Sequence, residues 1–567
     1  MRGFLYPLGA LALAGLVCCI MALYVEGGEK VYSDRWVYVS RGLGRDQDVN
    51  EIRDIVKTSS EHGLNGMVLS GGLDGLSRRS DEHLRRLQEV RNICEQNKIE
   101  IIPIIFSAGY GGSVLGHNTN LAAGLPVKDA LFTVEGKEAR LVADPPVEIV
   151  NGGFEEFDGN RFKGYNFHDK PGEISFVDQK TVKEGKVSLR FEHFGEVDPQ
   201  HGHARVMQEV DLHPYRYYRL TCWVKTEDVK GSFRIQVLVD DRSLAPYDPG
   251  IPETTDWRKV TMVFNSLEYD KIKIYAGLWG GRDGKVWLDD LRLEEVGLLN
   301  VLRRPGTPVT VTSEDGETVY QEGSDYGRVV DPKFRPWRQP EHEPAPIHIL
   351  PDSRIKDGQK LRVSFYHSVY INRGQVSACM SEPEVYDIWR KEARLLHQQL
   401  QPQKYLLSMD EIRAGGSCAA CKERNMTMAE ILGDCITKQV EILRENNPDA
   451  EIYIWSDMLD PDHNAHDNYY LVDGDFTGSW NYVPKDLIIV CWYHKIREKS
   501  LKFFSDLGFR TLAGAYYDGD TLDNPKDWLE SLDRTPGATG IMYTTWRNKY
   551  ALLGGFGDMV TRRRVEQ

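Results

Sequence analysis

Cysteine is scarce and odd in number: nine in 567 residues, with Cys18 and Cys19 near the start and Cys94, Cys222, Cys379, Cys418, Cys421, Cys435 and Cys491 beyond them. Seven thiols cannot all pair, which excludes a disulfide framework and leaves the fold to its hydrophobic cores. Basic blocks are also lacking apart from Arg562, Arg563 and Arg564, and the formal net charge is −15. Nucleic acid is therefore excluded as the expected partner, as is an anionic membrane surface. A neutral or weakly charged ligand suits the chain better. Hydrophobic residues make up 41% and aromatic residues 10%, enough at this length to bury more than one core.

No long apolar run occurs except at the N-terminus. Within residues 1–28 a single Arg precedes an uninterrupted apolar stretch from Phe4 to Tyr24, which reads as a signal peptide or a membrane anchor. Either way the chain is expected to be exported, to an extracellular or periplasmic location, with N-terminal membrane anchoring if the leader stays. Cys418-Ala-Ala-Cys421 has the spacing of a zinc half-site or a local disulfide. The second ligand pair that zinc needs is missing, with His463 and His466 its sequence candidates. The pair reads as a loop brace, and no cofactor or metal is expected in catalysis.

The rest alternates. Residues 29–147 carry strand-like WVYVS, GMVLS and IIPIIF, about 30 residues apart and separated by amphipathic helical patterns, the sign of parallel βα units. Residues 148–297 change to short alternating segments such as YYRLTCWVKT, SFRIQVLVDD and KVWLDDLRL, expected to form an antiparallel β-sandwich of jelly-roll type. Residues 298–380 read as an irregular connector with a hairpin, which takes in KLRVSFYH. Over 381–567 the alternation resumes, with YLLSM, IYIWS, IIVCW, LAGAYY and IMYTT. The expected fold class is α/β: an eight-stranded (β/α)8 TIM-type barrel, interrupted after its third strand by the sandwich.

Chemistry in such a barrel sits where the strands run out. Here those ends hold Arg41, Ser107 to Gly112, Asp410 and Glu411, Trp455 to Asp457, Trp492 to His494, Tyr516 to Asp518, and Trp546 to Asn548. Aromatic rings stack on the apolar faces of sugars while carboxylates accept from their hydroxyls, so the set points to a glycan substrate.

On these residues the barrel half resembles the family 20 glycoside hydrolases, the β-N-acetylhexosaminidases. Their fourth strand ends in Asp-Glu, as Asp410-Glu411 does here. The resemblance implies that Glu411 is the general acid and base and that Asp410 orients the substrate's own 2-acetamido group, in a substrate-assisted retaining reaction. It implies further that Arg41, Trp455, Trp492, Tyr516, Asp518 and Trp546 bind substrate, with Asp457 beside them. The chain departs from the family where His-x-Gly-Gly is replaced by Leu406 to Met409, Trp-x-Glu by Trp546 to Asn548, and Pro-Gly-His by Ala108 to Tyr110. Two other readings stay open: a surface carbohydrate-binding protein whose barrel has lost catalysis, and a glycosidase without acetamido specificity using Asp457 or Asp518 as second carboxylate.

An adjacent carboxylate and apolar walls both favour the protonated form of an acid, which is what a proton donor near neutral pH requires. Because neighbours on a regular strand face opposite ways, the chain is expected to bend at Asp410 for both acids to reach one pocket. The segment from NGGFEE to KVWLDDLRL resembles carbohydrate-binding modules of the family 4/9/22 type. That likeness implies a structural calcium near Glu155 or Glu156 with Asp289 or Asp290, an ion that prefers hard oxygen ligands.

Overall fold

The computed structural model describes residues 31–561 except Arg373, so the leader, residues 1–28, lies outside the described residues. Eight parallel strands close into a barrel: β1 (Asp34–Ser40), β2 (Gly66–Ser70), β3 (Glu100–Ile105), β4 (Lys404–Leu407), β5 (Glu451–Trp455), β6 (Ile488–Cys491), β7 (Arg510–Tyr516) and β8 (Ala538–Thr544), with β8 pairing back onto β1. Period-two alternation sorts their side chains. Trp36, Tyr38, Ile102, Ile104, Leu406, Tyr453 and Trp455 fill the interior, while Val37, Val39, Ile105, Leu407 and Ile454 face the surrounding helices. The barrel is thus a packed core with a site only at its rim.

Those helices are α1 (Asp46–Glu61), α2 (Asp81–Gln96), α3 (Pro383–Leu400), α4 (Met428–Arg444), α5 (Arg497–Asp506), α6 (Asp523–Asp533) and α7 (Leu553–Thr561). In α1 the buried Val49, Ile52, Ile55 and Val56 recur at helical spacing, giving one apolar stripe toward the strands. Helix α4 opens on a capping box, in which the Thr427 side chain accepts from the Glu430 amide and the Glu430 side chain accepts from the Thr427 amide; this satisfies donors the helix leaves orphaned. Polar groups close the N-terminal end of the barrel. Asp34 takes the Lys404 ammonium at 3.0 Å and the Tyr453 hydroxyl at 3.0 Å, and Glu100 takes the same ammonium at 3.1 Å.

Residues between β3 and β4 in the chain build the antiparallel sheets. Two five-stranded sheets, one centred on Lys285–Glu295 and the other on Lys271–Leu278, face each other over a core that includes Phe191, Leu220, Ile235, Phe264 and Leu288. The domain boundaries expected on either side need correction. Gly124–Glu135 and Glu138–Leu141, assigned to the first part of the barrel, join Thr310–Ser313, Val319–Tyr320, Ile347–His348 and Lys360–Ser368 in one six-stranded sheet. The 298–380 segment holds the expected hairpin, Thr310–Ser313 against Val319–Tyr320, but it is not an irregular connector: Lys360–Ser368 and Ile347–His348 pair with strands more than 200 residues earlier, as in Leu361 against Phe132. Such pairing leaves no local pattern to read.

The expected calcium ligands also have other partners. Asp289 Oδ2 accepts from the amides of Lys183 and Glu184 at 2.8 and 3.1 Å, and Glu155 Oε1 accepts from those of Lys186 and Val187 at 2.7 and 3.2 Å. Both carboxylates thereby tie down one backbone loop, a use of acceptor capacity that competes with a cation. Trp287 is core, its Nε1 donating to Asp178 at 2.9 Å. Among the described residues no helix is long and apolar enough to cross a membrane.

Candidate active site

The C-terminal rim of the barrel opens on a cavity of about 560 Å³ lined by Tyr38, Ser70, Ile104, Ser107, Tyr110, Ser408, Asp410, Glu411, Trp455, Trp492, Tyr517 and Trp546. The chain does bend at the acid pair, one residue later than expected: strand β4 ends at Leu407 and Glu411 adopts φ 49°. For a non-glycine residue this left-handed backbone is uncommon and costs free energy that its surroundings must offset. Two contacts hold it there, the Glu411 amide donating to Asp457 Oδ2 at 2.9 Å and the Glu411 carbonyl accepting from Gln375 Nε2 at 2.7 Å.

Gly109 passes so close behind the bend that a Cβ on it would collide with the Asp410 carbonyl oxygen. Gly109→Ala is expected to cost about 1–3 kcal/mol of stability, the usual range for forced overpacking, and to lower turnover with it. Thermal unfolding alongside steady-state kinetics checks both; an unchanged melting temperature would show that the loop moves freely.

The carboxyls differ in environment. Asp410 is half-buried at the cavity wall, with the Ser408 hydroxyl donating to its Oδ1 at 3.0 Å; burial first, then Asp457 and Glu411, push its pKa up to about 7. Asp457 is fully buried, and burial raises it to about 6 although three donors reach it: the Glu411 amide, Asn464 Nδ2 at 2.8 Å and Trp492 Nε1 at 3.2 Å. Donors favour the ionised form, so Asp457 is the carboxylate of the two and Asp410 the proton holder. Glu411 instead pairs with Arg413 Nη2 at 2.8 Å and accepts from the Tyr110 hydroxyl. The proton-retaining environment expected around Glu411 therefore surrounds its neighbour.

Aromatic rings also line the cavity. Trp492 and Tyr517 lie parallel within 3°, with centroids 5.8 Å apart, and Trp546 stands against Tyr517 at 6.0 Å, Trp455 at 6.3 Å and Tyr38 at 5.1 Å. Gly514 makes room for them, since a Cβ there would press on Trp492 and Trp455 at 3.2 and 3.3 Å.

Several expected ligands stand elsewhere. Alternation along β7 aims Leu512, Gly514 and Tyr516 inward, but Tyr516, Tyr517 and Asp518 take φ of 82°, 58° and 61°. The left-handed run swings Tyr516 out onto Tyr543, centroids 4.0 Å apart, and puts Tyr517 in the cavity. Asp518 accepts from Thr545 Oγ1 at 2.5 Å and the Trp546 amide at 2.9 Å, so it fixes the loop that presents Trp546. Arg41 binds Glu51 at 2.7 Å and Asn548, bracing the rim without lining the cavity. Asp457 lies beneath the floor. Neither Asp457 nor Asp518 is exposed to the cavity as a second carboxylate. His463 packs between Trp492 and Tyr493 rather than completing a metal site with Cys418 and Cys421.

Sequence reasoning missed Tyr110 and Arg413 as partners of Glu411. Tyr110 sits where the family pattern has its histidine, which was a usable signal; Arg413 carried none. A second cavity, about 500 Å³, adjoins the first. It shares Tyr110 and Glu411 with it and runs past Arg413 and Gln375 to Arg234, Gln236 and Tyr247 of the sandwich. The second cavity is thus lined from both the barrel and the sandwich.

No family model and no curated protein matches the chain. Among solved structures it is similar to a chitobiase from Flavobacterium johnsoniae, with 7% identity, 91% of this chain and 44% of that one covered, and a TM-score of 0.35. It is similar also to a rhamnosidase from Novosphingobium sp. PP1Y, with 10% identity, coverage of 91% and 55%, and a TM-score of 0.34. Over 27% of its length it is similar to a xylan-binding domain from Paenibacillus barcinonensis, 97% of which is covered, with 15% identity and a TM-score of 0.20. The chain thus spans about half the length of each of the two enzymes it resembles.

Proposed function

We propose that the protein is an exported glycoside hydrolase that releases a 2-acetamido sugar from the non-reducing end of a glycan, with Glu411 as acid and base and Asp410 orienting the acetamido group. One observation carries the reading: Asp410 and Glu411, adjacent in the chain, open on a single cavity that Trp455, Trp492, Tyr517 and Trp546 also line. Such a box suits the apolar face of one pyranose and an acetamido methyl. The leaving sugar lies in the adjoining cavity toward the sandwich.

In the reaction the acetamido oxygen attacks the anomeric carbon as the glycosidic bond breaks, and Glu411 gives its proton to the departing oxygen. Water then opens the oxazolinium at the same carbon and returns a proton to Glu411. Asp410 keeps a proton up to about pH 7, and once ionised it faces the developing positive charge. Activity is then expected to rise with pH toward about 7, as Asp410 gives up that proton.

Turnover of methylumbelliferyl N-acetylglucosaminide and N-acetylgalactosaminide, set against the plain glucoside and galactoside, tests the proposal. Faster turnover of the plain glycosides would replace it with a glycosidase indifferent to the acetamido group. Binding of oligosaccharides with no turnover of any substrate would replace it with a carbohydrate-binding protein.

The corrected wall residue has its own test. Tyr517→Ala is expected to raise KM about two- to tenfold, the scale of one lost aromatic contact, whereas Tyr516→Phe leaves KM unchanged. The reverse order would return the pocket role to Tyr516.

A further inference from the structure

Three cysteines from two distant segments meet in the interior behind the acid loop. The sulfur of Cys379 lies 3.5 Å from that of Cys418 and 3.8 Å from that of Cys421, and the last two are 3.5 Å apart. All three are buried. Thiolates bound to one zinc at about 2.3 Å in a tetrahedron stand about 3.8 Å from one another. The triangle is close to that size, whereas a disulfide would bring two of its corners to about 2.05 Å.

We propose that Cys379, Cys418 and Cys421 hold a structural zinc ion, with an oxygen as fourth ligand. Two observations besides the spacing point to a charged occupant. Arg304, itself buried, spends Nε on Glu382 at 2.7 Å and Nη1 on the carbonyls of Asn120 and Ala122 at 2.6 and 2.8 Å, and its remaining Nη2 points at Cys418 Sγ at 3.5 Å. A guanidinium aimed at sulfur suits a thiolate better than a neutral thiol, and three thiolates on Zn²⁺ leave one negative charge for it to face. Beside Cys421 lies the hydroxyl of Ser381, shielded from solvent and in reach of the Cys421 thiol, an oxygen available for the fourth position.

The ion would join segments that shape the active site. Ala378, next to Cys379, donates its amide to Ala108 at 2.8 Å, and Ser377 Oγ donates to Gly109 at 3.2 Å. Cys418 and Cys421 sit at the start of the short helix that follows the Glu411–Arg413 loop. Zinc there fastens the backbone behind the bend.

Tag-free full-length protein, purified without added metal and desalted, is expected to carry about one zinc per chain by mass-spectrometric metal analysis. That zinc is absent from Cys418→Ser and Cys421→Ser and retained in Cys94→Ser. Replacement by cobalt is expected to give the intense visible bands of a tetrahedral, thiolate-rich site. The wild-type measurements decide the matter even if the cysteine variants fail to fold. A metal-free native protein whose three thiols all react with Ellman's reagent after unfolding would overturn the proposal, as would a disulfide between any two of them in a peptide map, or full zinc content in Cys418→Ser. None of these outcomes depends on glycosidase activity, so the zinc site and the proposed reaction fail separately.

Discussion

Glu411→Gln is expected to lower kcat on an N-acetylhexosamine disaccharide by about 10²–10⁴-fold, the range that a positioned general acid contributes. Glutamine keeps the length of the side chain and can still accept from Tyr110, but it has no proton to give the departing oxygen. It also loses the ion pair with Arg413, 2.8 Å in the native site; with Glu411 partly open to solvent, that pair contributes little to folding. The loss should shrink on a methylumbelliferyl glycoside, whose leaving group departs without protonation. Dependence on the leaving group is the diagnostic: equal losses on both substrates would mean that Glu411 positions the sugar and does not protonate it. A loss under tenfold on both would remove it from the chemistry.

Asp410→Asn is expected to abolish most turnover and to stabilise the fold at alkaline pH. In the folded chain Asp410 keeps its proton up to about pH 7, mainly because burial penalises its charged form, while in the unfolded chain the carboxyl ionises near pH 4. Folded protein thus binds the extra proton, and the contribution of Asp410 to stability declines as pH rises from about 4 to about 7, reaching its full cost above that. Asparagine never ionises. The variant should match the wild type in melting temperature near pH 4 and exceed it in stability at pH 8, by roughly 1–3 kcal/mol, because Asp457 shares the repulsion and the two carboxyls titrate as a pair. A residue that weakens the fold at the pH where it ionises is the expected mark of a site built for chemistry. Loss of stability at pH 8 would mean that the ionised aspartate has partners that the Ser408 hydrogen bond does not reveal.

Much of the rim was legible because period-two alternation and apolar runs are local properties. All eight segments read as parallel strands are barrel strands, and Trp455, Trp492 and Trp546, read as strand ends, stand around one cavity. Asp410 and Glu411 were legible for the same reason, as charges placed where an apolar run stops. Local reading failed where the backbone leaves the strand conformation. Tyr516 follows the alternation of β7 in sequence and breaks it in space, since three consecutive left-handed residues turn it outward and bring Tyr517 in. It failed again at Gly124–Glu135, whose pattern suits any strand and whose partner, Lys360–Ser368, could be chosen only by the folded chain.

From composition and pattern alone followed the class of the fold, the end of the barrel where chemistry sits and the kinds of side chain gathered there, because hydrophobic periodicity and charge placement are written residue by residue. Which carboxyl keeps its proton, which tyrosine lines the cavity, that Arg413 and Tyr110 hold Glu411, and that Cys379 joins Cys418 and Cys421 were decided by the tertiary structure. Desolvation, ion pairing and ligand convergence depend on the distances at which the folded chain brings its segments together, and only packing sets those distances.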